Sequence, residues 1–366
     1  MARKKKLTKK RIKIITSTIF LIVLLLIVLV YYLFKPAEVE KTADIEPKNQ
    51  PQTFINGFLS RDFKIHFVDV GQGDGIIIEL PDGKNMLIDA GKKSNVSRLT
   101  DYIDSLGIET FDYLLATHTD EDHIGGMQKI FDNYQINYVF RPHVYCANEK
   151  ATNLPDNFNY GNSLKSYSCE TETYYNFLNA IVQEKSVWSF FNKDSDVSFV
   201  YTADGIQYTC SFDFLTPTAE TDGIAYKNMN DYSPLIMIDY CGYKIMLTGD
   251  AEKETEKEFV SYYSENKVIY DVDVLKAGHH GSSTSSSEEF LSFIKPENFI
   301  ISCGAGNSYG HPHEETLLKF ASYGSIFRTD VQGSIILTVD KEGKSAYSCT
   351  KTDYNMSDLY IAPNNK

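Results

Sequence analysis

Thr117-His118-Thr119-Asp120-Glu121-Asp122-His123-Ile124-Gly125-Gly126 decides how the rest of the chain is read. The apolar run Tyr113-Leu114-Leu115-Ala116 ahead of it reads as a buried strand, and the Gly-Gly pair releases the chain into an amphipathic stretch from Met127 to Phe131. Two imidazoles and two carboxylates, His118, Asp120, Asp122 and His123, therefore share one short strand-to-helix loop. Such groups, once crowded, repel one another or lose hydration unless a cation sits among them. Residues i, i+2 and i+4 of an extended segment share a face, so His118, Asp120 and Asp122 converge and His123 swings in at the bend. The plainer alternative is a polar loop that is merely rich in Asp and His.

Other strand-to-loop junctions carry the same residue types. Phe63 to Asp74 reads as a strand entering a turn, Val68-Asp69-Val70-Gly71-Gln72-Gly73-Asp74, followed by a strand from Gly75 to Leu80. Pro81-Asp82-Gly83-Lys84 is a hairpin turn and Asn85 to Asp89 a third strand. Gly71 and Gly73 serve turn geometry, and His66 sits in an apolar strand as a structural histidine. Asp74, at a strand-loop edge, is expected to orient a ligand or a water. The strand Tyr243–Leu247 delivers Thr248-Gly249-Asp250-Ala251-Glu252, where Asp250 also suits the N-cap of a helix over 252–264. Val274-Leu275-Lys276 delivers Ala277-Gly278-His279-His280-Gly281-Ser282. Adjacent histidines in extended backbone point oppositely, so His280 is assigned as a ligand and His279 as a contact to anionic oxygens, with the Ser282 hydroxyl beside them.

The loop Thr117–Gly126 resembles the metal-binding signature of the metallo-β-lactamase superfamily, His-x-His-x-Asp-His, with Asp120 replacing the second His. Together with Val68–Asp74 and Leu87-Ile88-Asp89-Ala90-Gly91, it is similar to the hydrolase domain of ComEC-type DNA-uptake (competence) proteins, over roughly Asp62 to Asp340. The resemblance implies a four-layer αββα sandwich; alternating strand and helix runs support the α/β (α+β) class independently. It also implies that Asp250 bridges two ions, that Asn230 and Ser233 form an Asn-x-x-Ser loop, and that Tyr309-Gly310-His311-Pro312 is the family's Tyr-Gly-His-Pro loop. The expected metal ligands are His118, Asp120, Asp122, His123, Asp250 and His280. Catalytic roles fall to Asp122, His279, His311 (an acid or transition-state donor) and Asp74, and substrate contacts to Asn230, Ser233 and Ser282. His313 is expected to be structural.

The superfamily usually has one more His ligand before the bridging Asp. Between His123 and Asp250 this chain has only His143. One site is then His118, Asp120 and Asp250, and the other Asp122, His123, Asp250 and His280. Carboxylate-rich octahedral sites favour Mn or Mg and nitrogen-rich tetrahedral ones Zn, so one or two divalent ions, Mn or Zn, are expected.

Eight of the residues from Arg3 to Lys13 are Lys or Arg, and Ile14 to Phe34 follows as 21 uncharged residues. A helix of that length spans roughly 31 Å, about the thickness of a hydrocarbon core. The basic block places the N-terminus in the cytoplasm, and Tyr31 to Pro36 offers no small-residue cleavage site. The expectation is a single-pass signal-anchor in the cell membrane with the hydrolase domain outside. The organisation reads as a basic tail (1–13), a transmembrane helix (14–34), a linker (35–60), a hydrolase domain (61–345) with an insertion at 141–196, and a C-terminal tail (346–366). Within the insertion, Tyr160, Tyr167, Tyr174 and Tyr175 read as ordinary packing.

The chain carries −13, and its first 36 residues hold nine positive charges and no acid, which leaves −22 for the rest. Such a balance lacks the basic footprint of a duplex-binding protein. A phosphodiester substrate, short or single-stranded DNA, is the first expectation, cut by metal-assisted hydrolysis. The alternatives are a surface hydrolase of wall polymers or phosphorylated sugars, resembling a phosphorylcholine esterase, and a catalytically inactive surface binding module. A single helix cannot form a DNA pore, so transport is not inherited with the resemblance. The six cysteines show no Cys-x-x-Cys spacing, and an exterior location would permit a Cys146–Cys169 disulfide.

Overall fold

The computed structural model describes residues 52–58, 61–155, 158, 168–193, 195–203, 205–218, 226–266 and 270–363. Ile14 to Phe34, the expected membrane span, lies outside the described residues, as do Tyr160 and Tyr167. Among the described residues no helix is long and apolar enough to cross a membrane.

Strands of two residue faces build two eight-stranded mixed sheets. In one, Asn85–Ile88, Thr110–Leu115, Gln135–Arg141 and Val187–Phe190 run parallel, and Ile76–Glu79, Phe63–Phe67, Ile335–Val339 and Ser345–Cys349 extend it antiparallel. The other runs in the order Gln52–Phe58, Val197–Ala203, Ile206–Phe214, Ile236–Tyr240, Tyr243–Leu247, Val274–Lys276, Asn298–Ile301 and Ser325–Arg328, its last four strands parallel.

Alternation of side chains along each strand separates three cores. Met86, Ile88, Tyr113 and Leu115 join Phe199, Phe212, Ile238 and Ile245 in a core between the sheets. On the opposite strand faces, Leu87, Leu114 and Val139 pack against Leu99 and Ile103 of the helix Val96–Ser105 and Phe177 and Ile181 of the helix Glu172–Glu184. On the second sheet, Met246, Leu275 and Phe299 pack against Phe259 of Lys253–Glu265, Leu291 of Glu288–Ile294 and Phe320 of Glu314–Tyr323. Helix, sheet, sheet, helix is the resulting layer order, a mixed α/β fold of the expected kind.

Three expectations about segments give way to the structure. Residues 52–58, assigned to the linker, form a strand paired in parallel with Val197–Ala203. Part of the supposed insertion belongs to the sandwich: Glu172–Glu184 is the crossover helix that returns Val187–Phe190 parallel to Gln135–Arg141. Its sequence is rich in Tyr and Asn, which masked an amphipathic helix with Tyr174, Phe177, Leu178 and Ile181 buried. The chain's end is also folded, because the buried Arg328 guanidinium donates to the carbonyls of Asp358, Leu359 and Ile361.

Cys146 and Cys169 face each other in register across two short parallel strands, and both are free thiols. His66 is satisfied as expected, with Tyr102 Oη at 2.9 Å from Nδ1 and Glu79 Oε1 at 2.8 Å from Nε2.

Candidate metal centre

Parallel strands joined by helical crossovers release their loops at the carboxyl ends of both sheets, and there the acidic and imidazole side chains meet. His118 and His123 follow Thr110–Leu115, with Asp120 at the N-cap position of the short helix Glu121–Ile124. Asp250 follows Tyr243–Leu247, and His280 follows Val274–Lys276.

His123 Nε2 lies 3.3 Å from His280 Nε2 and 3.1 Å from Asp250 Oδ1. His280 Nε2 lies 3.3 Å from Asp250 Oδ2 and 3.7 Å from Asp122 Oδ2. Ligand bonds of about 2.0–2.2 Å give donor separations of roughly 3.0 Å at octahedral and 3.4 Å at tetrahedral angles, so these are coordination-sized edges. His118 Nε2, Asp74 Oδ1 and Asp250 Oδ1 are buried with no hydrogen-bond partner. Orphaned buried polar atoms are costly, and a cation among them removes the cost. The residues present fit a divalent ion.

Each ring is set with its Nε2 inward. His123 Nδ1 donates to Asp89 Oδ2 at 2.6 Å, and His280 Nδ1 donates to the Ser302 carbonyl at 2.9 Å. His118 Nδ1 faces Thr117 Oγ1 at 3.1 Å and Ser233 Oγ at 3.2 Å. Such outer partners fix the tautomer that leaves Nε2 able to ligate. Burial works against charge on His123, yet the carboxylates of Asp250 and Asp89 raise its pKa well above the histidine range. His118 is pushed well below that range by burial and by His123. Asp250, despite burial, is held well below the carboxylate range by His123 and His280.

The first expected site is thinner. His118 Nε2 and Asp120 Oδ2 stand 3.8 Å apart, and the Asp120 side chain is 49% exposed. Burial, Asp122 and Asp250 raise the Asp120 pKa.

Asp74 lies within 4.8 Å of the donor atoms of His123, Asp250 and His280 and is close enough to count as a fourth ligand. Its other oxygen is engaged elsewhere. Oδ2 is paired at 2.7 Å with the fully buried Lys276, and Oδ1 lies 3.6 Å from His280 Nδ1. Lys276 and His280 thus flank the Asp74 carboxylate at its strand edge. Gly73 (φ +133°) permits the approach, since a Cβ there would lie 2.1 Å from the Asp122 carbonyl oxygen.

Several sequence assignments change. His279 and His280 are not extended: both are left-handed (φ 47° and 56°), which still sends one ring inward and one outward. His279 Nδ1 contacts Glu252 Oε1 at 3.0 Å and its Nε2 stands 3.9 Å from Asp250 Oδ2, at the rim. Burial lowers its pKa, but the Glu252 hydrogen bond and the Asp250 charge more than offset this and raise it. His311 is buried with Nδ1 unpartnered, and burial with the His280 and His279 charges takes its pKa down to about 3. Asp250 caps no helix; the Asp231 carboxylate instead accepts from Glu252 N (3.1 Å) and Thr255 N (3.3 Å) at the start of Lys253–Glu265.

Of the expected substrate contacts, Ser233 is 1% exposed and sits beneath the cluster, its Oγ accepting from Asp250 N at 3.1 Å. Ser282 is likewise buried and accepts from Thr284 N and Oγ1. Asn230 Nδ2 donates to Glu252 Oε1 at 3.0 Å, behind His279. His313 is structural, its Nδ1 accepting from Ser283 N at 3.0 Å. Sequence reasoning missed Asp89 and Lys276. The only signal for Lys276 was a charged residue inside a short apolar run.

Residues 68–153 of the chain match the metallo-beta-lactamase superfamily. The chain is 27% identical over 301 residues to ComE operon protein 3 of Bacillus subtilis (strain 168), covering 77% of this chain and 34% of that protein. It is 26% identical over 279 residues to Recombination protein 2 of Haemophilus influenzae, covering 75% and 28%. Competence protein ComA of Neisseria gonorrhoeae is 25% identical over 289 residues, covering 76% and 32%. The chain thus spans about a third of the length of these relatives. Among solved structures, CmlA, a diiron beta-hydroxylase from Streptomyces venezuelae, superposes with a TM-score of 0.44 at 12% identity over 76% of this chain and 54% of that one. A long form RNase Z from yeast does so with a TM-score of 0.40 at 12% identity, over 79% and 43%.

Proposed function

We propose that this chain is a metal-dependent phosphodiesterase, held at the cell membrane by Ile14 to Phe34 with its hydrolase domain outside, that cuts single-stranded DNA or similar diesters. The observation that carries the reading is the set of buried, inward-facing donors with no hydrogen-bond partner: His118 Nε2 and Asp250 Oδ1 beside His123 Nε2 and His280 Nε2. His123, Asp250, His280 and Asp122 would hold one divalent ion, and His118 and Asp120, with Asp250, a second. When bound, such ions supply a Lewis acid and an acidified water.

The chain's own residues do the rest. Asp89 and Ser302 hold the His123 and His280 tautomers, and Lys276 holds Asp74 behind His280. His279 at the rim, with Glu252 and Asn230 behind it, offers an N–H to a non-bridging phosphate oxygen. The similarity to competence and recombination proteins favours a nucleic-acid diester over a wall polymer.

The test compares Mn with Zn on plasmid, single-stranded DNA, a small diester and a wall-polymer preparation. Mn-supported hydrolysis of the small diester and the single strand is expected. Activity with Zn alone, confined to the wall polymer, would replace this reading. Asp250→Ala should lose metal content and activity together. Protease added to intact cells should degrade everything after Lys35; full protection would overturn the orientation.

A further inference from the structure

The loop from Gly304 to His313 forms a stiff shelf at the mouth of the centre. Asn307 Oδ1 accepts from the backbone N–H groups of Tyr309 (3.1 Å) and His311 (3.0 Å), and Asn307 Nδ2 donates to the carbonyls of Gly304 (2.9 Å) and His311 (2.6 Å). On this shelf the Tyr309 side chain is 56% exposed, although the sandwich buries most of its aromatic rings. The His311 ring lies beside it, centroids 5.6 Å apart and planes 22° from parallel, and His311 packs on His279 at 5.3 Å. One intervening ring, His311, therefore links the exposed ring to the rim of the centre.

Lys92 reaches the same ring from the other sheet's loops, its Nζ 5.6 Å from the Tyr309 centroid. No carboxylate pairs with Lys92 among the described residues, in a chain whose portion beyond residue 36 carries −22. A half-buried ammonium over an aromatic face is a modest interaction that a ligand can displace. A flat exposed ring with a cation beside it matches a ligand with a planar face and an adjacent anion.

We infer that Tyr309 and Lys92 form a nucleotide subsite: the Tyr309 ring stacks on the base next to the scissile phosphate, and Lys92 moves onto the neighbouring phosphate. The inference rests on the phosphodiesterase reading above and adds its substrate preference. Stacking needs an open base face, which a single strand offers and a duplex keeps inside its own stack. Sequence tolerance follows, because every base has such a face. The acidic surroundings leave few phosphate contacts, so the subsite holds a short single-stranded stretch.

The experiment uses the full chain and a single-stranded trinucleotide carrying 2-aminopurine, with a chelator present so that binding is read without turnover. Fluorescence quenching on binding is expected. Tyr309→Ala should weaken it about tenfold, the effect of losing one base stack, and Tyr309→Trp should restore it. Lys92→Met should weaken binding and flatten the salt dependence by about one phosphate's worth. With metal restored, the wild type should prefer the base-bearing trinucleotide over its abasic counterpart, and Tyr309→Ala should lose that preference. Unchanged quenching in Tyr309→Ala, with diester hydrolysis intact, would overturn the subsite and leave the phosphodiesterase standing. A metal-loaded wild type that hydrolyses no diester would overturn both.

Discussion

Asp89→Asn should cost more than its small change in shape suggests. Asp89 Oδ2 accepts from His123 Nδ1 and from Thr117 Oγ1, each at 2.6 Å, and Oδ1 accepts from Thr117 N at 2.9 Å. All three partners are donors and all are buried. An amide offers one acceptor oxygen and two N–H groups in the same space. If the amide nitrogen takes the Oδ2 position, it faces His123 Nδ1 and drives the ring proton to Nε2, the atom that must ligate. If it takes the Oδ1 position, it opposes the Thr117 N–H and leaves a buried donor unmet, at about 1–3 kcal/mol. Loss of such an orienting partner typically weakens metal binding 10–100-fold, about 1.4–2.7 kcal/mol. Competition titration of Mn against a chelating dye reads the affinity, and a metal-free melt reads the folding cost separately. An Mn affinity within about twofold of wild type would refute the orienting role.

Gly73→Ala places a Cβ 2.1 Å from the Asp122 carbonyl oxygen at a φ that disfavours side chains, so metal content and folding yield should both fall. Arg141→Ala removes a buried guanidinium that lies 4.3–5.0 Å from the Trp188, Phe190 and Phe158 ring centroids and donates to Tyr174 Oη and the Phe158 carbonyl. It should lower stability by about 3 kcal/mol in denaturant melts, with the metal ligands untouched. The His66 hydrogen bond and then the Arg61 charge, working against burial, hold the Glu79 pKa below its ordinary value. A depressed acid stabilises the fold above its unfolded pKa of about 4.3 and loses that contribution as pH falls through the lower folded value. Thermal melts from about pH 6 to about pH 3 should therefore fall less steeply in Glu79→Gln than in wild type.

What the sequence could and could not reveal follows the range of the contacts. His118, His123, Asp250 and His280 each follow a strand, so strand periodicity and loop composition marked their loops, and the family resemblance joined Asp250 to the others. Asp89 is held to His123 across 34 residues of chain, and only the parallel pairing of Asn85–Ile88 with Thr110–Leu115 brings them side by side. Lys276 looked like a strand residue beside Val274 and Leu275. Its neighbour Asp74 lies in a loop between two strands of the other sheet, so the pair was invisible locally. The helix over 253–265 was legible, but its cap was not, because Asp231 reaches it from a separate loop. Left-handed conformations at His279 and His280 carry no signal in two adjacent imidazoles, and the expected extended backbone is absent there, although one ring still points inward.

The charges buried around the centre explain why a cation fits there and where it belongs. Lys276, fully buried, is paired with Asp74 at 2.7 Å and donates to the Gly249 and Ala277 carbonyls, so Asp74 brings no net negative charge to the cluster. Asp89 is spent on three donors from Thr117 and His123. Asp250 has no such arrangement: Oδ1 makes no well-angled hydrogen bond and both oxygens face imidazole nitrogens. Those rings already donate through Nδ1, so neutralising Asp250 with their protons would use up the lone pairs that face it. A positive charge from outside the chain satisfies the carboxylate and the lone pairs at once. The outer residues Asp89, Ser302 and Lys276 thereby leave the unmet negative charge where three loops from two sheets converge.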